Sequence, residues 1–289
     1  MIEFLKLLSN REISIIVWLL LTFIFLTASS KVNFGKFLLV LKALFSKKII
    51  SFYIGIGIYL ALIVTLFNRF GVWEFSLYKD FIYWFFTTGM VLFFNVSDLK
   101  TNNDFTKIIL TSTSSTIILE FIVGFYNFSL VWELILVPTL TFISILAFVA
   151  EIKKEDSSYK LVATFLNNFL AIISFGFLIY GMYQLINNHN EFFTLNNFKS
   201  FLLPPIFTLL FLPFIYYVVI YVKYEHVFGN LRRYKFISHK RKRKIRLAIL
   251  RYANINLYRI ERANKIVVFN KKELQYEIDI KLFLSKHIR

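Results

Sequence analysis

Long apolar stretches alternate with short polar connections along most of the chain. Seven of the stretches approach the roughly 20 residues that an α-helix needs to cross a hydrocarbon core about 30 Å thick. They cover residues 13–27, 49–67, 81–96, 108–128, 131–150, 161–186 and 201–222. The pattern predicts an all-α, polytopic bundle of transmembrane helices with about seven spans, six and eight being the neighbouring counts.

The composition agrees with that pattern. Apolar residues make up 57% of the 289 positions and charged residues 18%, a balance that a water-soluble globule of this size cannot bury. Cysteine is absent, which excludes disulfides, thiolate zinc sites and cysteine nucleophiles. We therefore expect a multi-pass membrane protein that is covered largely by lipid.

The lysines and arginines near the stretch ends predict the orientation. The first, third and fifth connections carry ten of them, whereas the N-terminal segment and the other connections carry five. Such residues stay preferentially on the cytosolic side, so we expect an outside N-terminus and a cytosolic C-terminus. Tryptophan favours membrane interfaces, and all four lie near stretch ends assigned to the outer face: Trp18, Trp73, Trp84 and Trp132. The alternative, a signal peptide cleaved near Ala28, would place a five-lysine connection outside and is disfavoured.

The last part of the chain differs in charge and defines a second region. Residues 223–289 hold 19 Lys and Arg against 5 Asp and Glu, so we divide the chain into a transmembrane domain, 1–222, and a basic cytosolic tail, 223–289. Ile245, Ala248, Ile249 and Tyr252 share one helical face and predict an amphipathic helix. Beyond it, the apolar run 266–269 and the alternating apolar positions of 274–282 predict a β-hairpin, although Leu274, Ile278 and Leu282 also fit helical spacing.

A basic cluster opens the predicted tail helix. It consists of Lys240, Arg241, Lys242, Arg243 and Lys244. Each such residue near an anionic surface is worth about 1 kcal/mol, so the favoured interpretation is that the cluster holds the tail on the anionic inner leaflet. Docking of an acidic partner protein is a second interpretation. Nucleic-acid binding is a third, which the absence of any recognised motif disfavours.

Signatures of enzymes are missing from the sequence. The predicted spans contain no His and no Asp, and the four histidines lack the spacing of a metal site. Glycine-rich phosphate loops are missing as well. We therefore expect a protein that is not an enzyme and has no catalytic residue, no metal and no cofactor.

A few polar residues and one proline interrupt the predicted spans. Glu120 lies roughly 12 Å from the outer end of the fourth span, where a carboxyl either lines a pathway or is kept neutral by burial. Glu133 is interpreted as an interfacial carboxylate. Asn167 and Asn168 fit amide pairing between helices better than solute binding, and Pro213 is expected to kink the seventh span.

Two segments carry a resemblance to known proteins. The run EFIVGFYNFS at 120–129, followed by WELILVP at 132–138, resembles a family of uncharacterised bacterial polytopic inner-membrane proteins. The resemblance implies a bacterial inner membrane. It implies no activity, cofactor or catalytic residue.

Two classes of function remain open from the sequence. The first is passage through an oligomeric channel or a transporter, with Glu120, Asn167, Asn168 and Pro213 in the polar pathway. The second is a membrane scaffold that presents the basic tail to anionic lipid, a partner protein or nucleic acid. Passage is preferred narrowly, because seven transmembrane spans are more than an anchor needs. A homo-oligomer and the anionic inner leaflet are the partners that we expect.

Overall fold

The computed structural model describes residues 8–28, 34–114, 116–153 and 155–269. Every regular element within these ranges is helical. The α-helices are α1 Asn10–Ala28, α2 Phe34–Leu44, α3 Lys47–Arg69, α4 Leu77–Trp84, α5 Met90–Phe94, α6 Asn102–Ser112, α7 Thr116–Phe125, α8 Leu130–Ile152, α9 Ser157–Asn187, α10 His189–Phe192, α11 Leu195–Arg233, α12 His239–Ala253 and α13 Leu257–Phe269. The prediction of an all-α fold is confirmed for this part of the chain.

Five of the described helices are long and apolar enough to cross a membrane. They are α1, α3, α8, α9 and α11. The number becomes six if Asn102–Ser112 and Ile117–Phe125 form one broken span. A chain with this set of helices has the character of a multi-pass membrane protein.

The third predicted span takes a less regular form. Residues from Leu77 to Asp98 are helical without a gap, but α4 is followed by a π-helical turn, Phe85–Gly89, then by α5 and a 3₁₀ turn, Asn95–Asp98. Such turns place the backbone hydrogen bonds at different spacings. The segment is therefore interrupted as an α-helix although it is continuous as helical backbone.

Contacts divide the chain into two compact units. The first consists of Met1–Ile82 and Ser114–Pro204 and the second of Tyr83–Thr113 and Pro205–Arg289. In the first unit, α8 packs against both α1 and α9, and α9 also packs against α7. A Cβ at Gly181 of α9 would lie 3.1 Å from the side chain of Ile122, so this glycine permits the close approach of α7 and α9.

The second unit has an apolar core along α11. Phe207, Phe211 and Ile215 are fully buried, and the ring of Trp84 packs against both phenylalanines at centroid distances of 5.3 and 5.7 Å. The indole N–H of Trp84 donates to Oγ1 of Thr208 at 2.9 Å. This part of the unit is packed like the interior of a soluble protein.

The same unit contains the described part of the basic tail. α11 continues past Val222, the predicted domain boundary, to Arg233, and α12 and α13 fold against this extension. Their shared core contains eleven buried residues: Tyr224, Val227, Leu231, Ile237, Ile245, Ile249, Ala253, Ile260, Ala263, Ile266 and Val267. α12 coincides with the predicted amphipathic helix, and its apolar face packs into this core.

The prediction of a strand at residues 266–269 is wrong, because these residues form the last turn of α13. Ile266 and Val267 both point into the tail core, as neighbours on one broad helical face can. A short β-branched run carries no periodicity that separates a strand from a buried helix end. The remainder of the predicted hairpin, residues 274–282, lies outside the described residues.

Candidate functional site

A buried ion pair joins two helices of the first unit. Arg11, in the first turn of α1, places Nη2 3.2 Å from Oε1 and Nε 3.3 Å from Oε2 of Glu133, in the first turn of α8. The side chain of Glu133 is 2% exposed and that of Arg11 is 26% exposed. The two side chains form a bidentate, charge-assisted contact, which fixes their relative orientation. The side chain of Glu133 is thus withdrawn from solvent by its protein neighbours, while its predicted position near the membrane interface stays a prediction.

Neighbouring groups satisfy the remaining polar atoms of the pair. The backbone N–H of Phe128 donates to Oε1 of Glu133 at 3.1 Å, and Nη1 of Arg11 donates to the carbonyl of Val123 at 3.3 Å. Ser14, which is fully buried, donates to the carbonyl of Glu133 at 2.9 Å. A charge pair with this many partners can remain in a dry environment. The pair links α1 to α8 structurally, because each charge is already neutralised by the other.

Further polar contacts surround the start of α4 in the first unit. Lys79 pairs with Glu12 at 3.6 Å, and Lys199 pairs with Glu74. Asp80 is half-buried, and its burial raises the pKa of that carboxyl above the usual value, although Ser200 and Lys79 act in the opposite direction. These contacts tie α4 to the beginnings of α1 and α11 within the first unit.

The residues predicted to line a pathway lie on three different helices, and their place in a pathway stays a prediction. Glu120 lies in α7, and its side chain is outside what the structure describes. Asn167 and Asn168 are exposed on α9, about 20 Å along the helix from Gly181, where α7 approaches. Pro213 belongs to the second unit and lies on an exposed face of α11, which runs through it as continuous helix.

The three helices of the tail have a defined order of contacts. The start of α12 contacts the end of α11, where Nζ of Lys242 donates to the carbonyl of Arg232 at 3.2 Å. The end of α12 contacts an earlier part of α11, where the hydroxyl of Tyr224 donates to the carbonyl of Asn254 at 2.6 Å. α12 is therefore antiparallel to α11. α13 then runs parallel to α11, with Lys223 3.8 Å from Glu261.

Contacts between α11 and α13 continue in that direction. Asn230 donates to Asn264 at 3.0 Å, and the hydroxyl of Tyr234 donates to the carbonyl of Val267 at 3.1 Å. The tail therefore has a proximal end, the turn between α12 and α13, and a distal end, the turn between α11 and α12. The distal end carries the start of α12.

The predicted basic cluster lies at this distal end. Ser238 caps α12 by accepting a hydrogen bond from the backbone N–H of Arg241 at 3.3 Å. Lys240, Arg243 and Lys244 are exposed, and within the described residues none of the three forms an ion pair with a carboxylate. The apolar face of the same helix is occupied by the core, so the cluster is presented by a folded surface.

Sequence reasoning missed the Arg11–Glu133 pair and the folded tail core. One signal for the pair was available, since both residues lie in the first turn of apolar helices that the predicted topology starts on the same side. For the core, Val227 and Leu231 continue the helical apolar spacing past Lys223. Among the described residues, no group of three or more His, Cys, Asp or Glu is placed to hold a metal ion.

Comparisons with protein-family models, curated proteins and solved structures give no match for this chain. The resemblance carried by residues 120–138 therefore stays a prediction.

Proposed function

We propose that this protein is a scaffold of the bacterial inner membrane that presents its folded tail to an acidic partner protein in the cytosol. The continuity of α11 carries the proposal. One helix runs from Leu195 to Arg233, and α12 and α13 are packed against its last turns. A span that continues into a folded module transmits its position rigidly, as a scaffold requires.

The proposal includes a membrane topology of seven spans. The spans run from an outside N-terminus to a cytosolic C-terminus: the five long helices, the α6–α7 pair, and the third predicted span, residues 81–96. This last span lies within a continuous helical segment, Leu77–Asp98, whose 22 residues extend about 33 Å at the α-helical rise. The lysine-rich connections after the first, third and fifth spans support this orientation.

The charge of the tail indicates the chemistry of the partner. Residues 223–269 contain 14 Lys and Arg and two acids, Glu225 and Glu261, which gives 14 − 2 = +12. Lys240, Arg243 and Lys244 share the exposed face of α12 with Leu247. A surface that combines positive charge with apolar side chains fits an acidic protein surface.

The position of the cluster makes the leaflet a poor partner for it. Lys242 contacts Arg232, ten residues beyond Val222, which is about 15 Å along α11. The headgroup layer extends only about 5–7 Å beyond the hydrocarbon core. Attraction to anionic lipid falls off within a Debye length of about 8 Å, so the cluster is better placed to bind a cytosolic protein.

Passage is the second candidate, and one observation favours it. Asn167 and Asn168 are exposed on an apolar helix, and no hydrogen bond from either amide is formed within the described residues. Amides that face lipid without partners are costly. A homo-oligomer would pair them between copies and would bring repeated copies of Glu120 and Pro213 around a common pathway.

Binding of an acidic probe tests the scaffold. The full-length protein in nanodiscs of uncharged lipid is titrated with a fluorescent polyglutamate peptide. We expect the variant Lys240→Gln/Arg243→Gln/Lys244→Gln to bind the peptide at least about tenfold more weakly, because three exposed positive charges are lost. The matched control, Lys36→Gln/Lys42→Gln/Lys47→Gln, removes the same charge from the first connection and should bind almost normally.

Three results would contradict the proposal. Equal weakening in both variants would mean that only net charge matters. Preferential binding of a single-stranded oligonucleotide of the same charge would indicate a nucleic-acid partner. Ion or small-solute flux in proteoliposomes that Glu120→Gln changes, while peptide binding is absent, would establish passage instead.

A further inference from the structure

The turn between α12 and α13 is fastened to the membrane-proximal part of α11. The hydroxyl of Tyr216 donates to the carbonyl of Ile255 at 2.8 Å, and the hydroxyl of Tyr224 donates to the carbonyl of Asn254 at 2.6 Å. Asn254 has a positive φ of 45°, which lets the chain reverse sharply at the end of α12. Two hydrogen bonds from one helix thus fix the level of the turn along α11.

That level coincides with the end of the last apolar stretch. The stretch ends at Val222, and the two tyrosines that hold the turn lie six residues before it and two residues after it. Along the helix these positions are about 9 Å inside and about 3 Å outside the predicted end. A turn held there lies at the boundary between hydrocarbon and headgroups.

The turn exposes the side chains that such a boundary favours. Ile255 is 63% exposed and Tyr258 is 71% exposed, and Leu250, in the last turn of α12, is exposed as well. Arg251 and Arg259 flank them and are also exposed. Apolar anchors between arginines are typical of a segment that lies in a membrane interface, where the guanidinium reaches phosphate.

The exposed face of α11 beside the turn has the same character. Tyr217 and Tyr221 are exposed on this helix at the same level as the turn. Tyrosine is enriched where a span meets the headgroups. The exposed side chains of the turn therefore lie at the same depth along α11 as the exposed tyrosines at the end of the span.

We propose that the α12–α13 turn is a lipid-contacting anchor: Ile255 and Tyr258 insert at the level of the headgroups, and Arg251 and Arg259 bind lipid phosphates. The tail is then held at two places, by the covalent continuation of α11 and by this anchor, while its basic cluster faces away from the bilayer. The inference rests on α11 crossing the membrane. It does not depend on the scaffold function.

Depth-dependent quenching tests the anchor. The chain has no cysteine, so Ile255→Cys labelled with an environment-sensitive fluorophore gives a single probe in the full-length protein. Reconstituted in phosphatidylcholine containing nitroxide-labelled lipid, this probe should be quenched roughly twofold. The matched control is Phe236→Cys, an exposed apolar residue at the distal turn, and it should show almost no quenching.

The arginines are tested in the same labelled background. Arg251→Gln/Arg259→Gln should reduce the quenching at position 255 by at least half, because the phosphate contacts are lost. Lys240→Gln/Lys244→Gln removes the same charge from the distal end and should leave the quenching unchanged. A probe at position 236 in each variant reports whether the tail remains folded and at its distance from the lipid.

Specific results would overturn the anchor. Equal quenching at positions 255 and 236, or none at either, would mean that the turn does not contact lipid. Quenching that needs anionic lipid and is lost in Lys240→Gln/Lys244→Gln would assign the contact to the basic cluster. The polyglutamate titration is read separately, so loss of the anchor and loss of the scaffold function are distinguishable.

Discussion

α9 and α11 are both long and almost equally apolar, yet the protein uses them in different ways. Within the most apolar 18-residue window of each helix, 39% of the residues of α11 are buried inside the protein, against 6% for α9. α11 forms the centre of the second unit, with Phe207, Phe211 and Ile215 fully buried. α9 leaves Phe165, Ile172 and Phe175 exposed in the first unit.

The difference shows that an apolar helix in this fold need not be a core helix. In lipid, exposed apolar side chains lose little, so packing is decided by shape and by polar contacts. The first unit has both: the glycine contact between α7 and α9 and the Arg11–Glu133 pair between α1 and α8. The second unit relies on a dry aromatic core and on the apolar tail core.

The largest expected effect tests the core of α11. Phe211→Ala removes a fully buried ring that packs against Trp84, so we expect the protein to lose about 4 kcal/mol of stability. Phe175→Ala, the matched change on α9, removes a ring that is 63% exposed and should change the stability little. Unfolding of the detergent-solubilised variants, followed by circular dichroism, measures both. Similar losses in the two variants would contradict the contrast between the helices.

The second effect tests the ion pair of the first unit. Glu133→Gln leaves the guanidinium of Arg11 without a counter-charge, and we expect a loss of about 3 kcal/mol, the lower end for a broken buried pair because Arg11 is partly exposed. Glu151→Gln changes an exposed carboxylate at the other end of α8 and should cost little.

A double variant separates the pair from its two members. Arg11→Gln/Glu133→Gln replaces both charges by neutral amides, and it should recover part of the loss seen for Glu133→Gln alone. Strictly additive losses would show that the two side chains do not stabilise each other. The same unfolding assay measures all three variants.

The helices themselves were predictable, because length and apolar composition decide whether a segment can cross a bilayer. Five predicted spans correspond to long helices. The third predicted span, 81–96, contains π and 3₁₀ turns that hydropathy cannot detect. The strand at residues 266–269 was predicted wrongly because four β-branched and aromatic residues fit a strand and a helix end equally well.

The contacts of the candidate site were less accessible from the sequence. Trp84 was expected at a membrane interface, which stays a prediction, but its burial and the hydrogen bond from its indole N–H to Thr208 were not foreseen. Glu133 was interpreted as an interfacial carboxylate, and its pairing with Arg11 was not foreseen either. In both cases the partner lies more than 120 positions away along the chain, and a single sequence contains no signal that joins such distant residues.

The third effect concerns close packing between helices. A Cβ at Gly181 would lie 3.1 Å from Cγ2 and 3.4 Å from the carbonyl oxygen of Ile122, so Gly181→Ala should cost about 1 kcal/mol as α7 and α9 are pushed apart. Gly176→Ala, five residues earlier on the same helix, places its Cβ in open space and should not destabilise the protein. Equal losses in the unfolding assay would mean that glycine flexibility matters here, and close approach does not.

The smallest expected effect depends on pH and concerns the polar start of α4. Burial raises the pKa of Asp80 above its ordinary value of 3.8, although the hydrogen bond from Ser200 and the charge of Lys79 oppose this and Glu12 adds to it. The folded state therefore holds the Asp80 proton more tightly than the unfolded state, so this group contributes most to stability below pH 3.8. Its contribution is lost as the pH rises through the folded pKa.

Asp80→Asn should accordingly raise the melting temperature near pH 7 and lose this advantage as the pH approaches about 4. Asp98→Asn, at an exposed position, serves as the control. A melting temperature that Asp80→Asn lowers at neutral pH would show that the ionised carboxylate stabilises the start of α4 through Lys79, and that its contacts outweigh its burial.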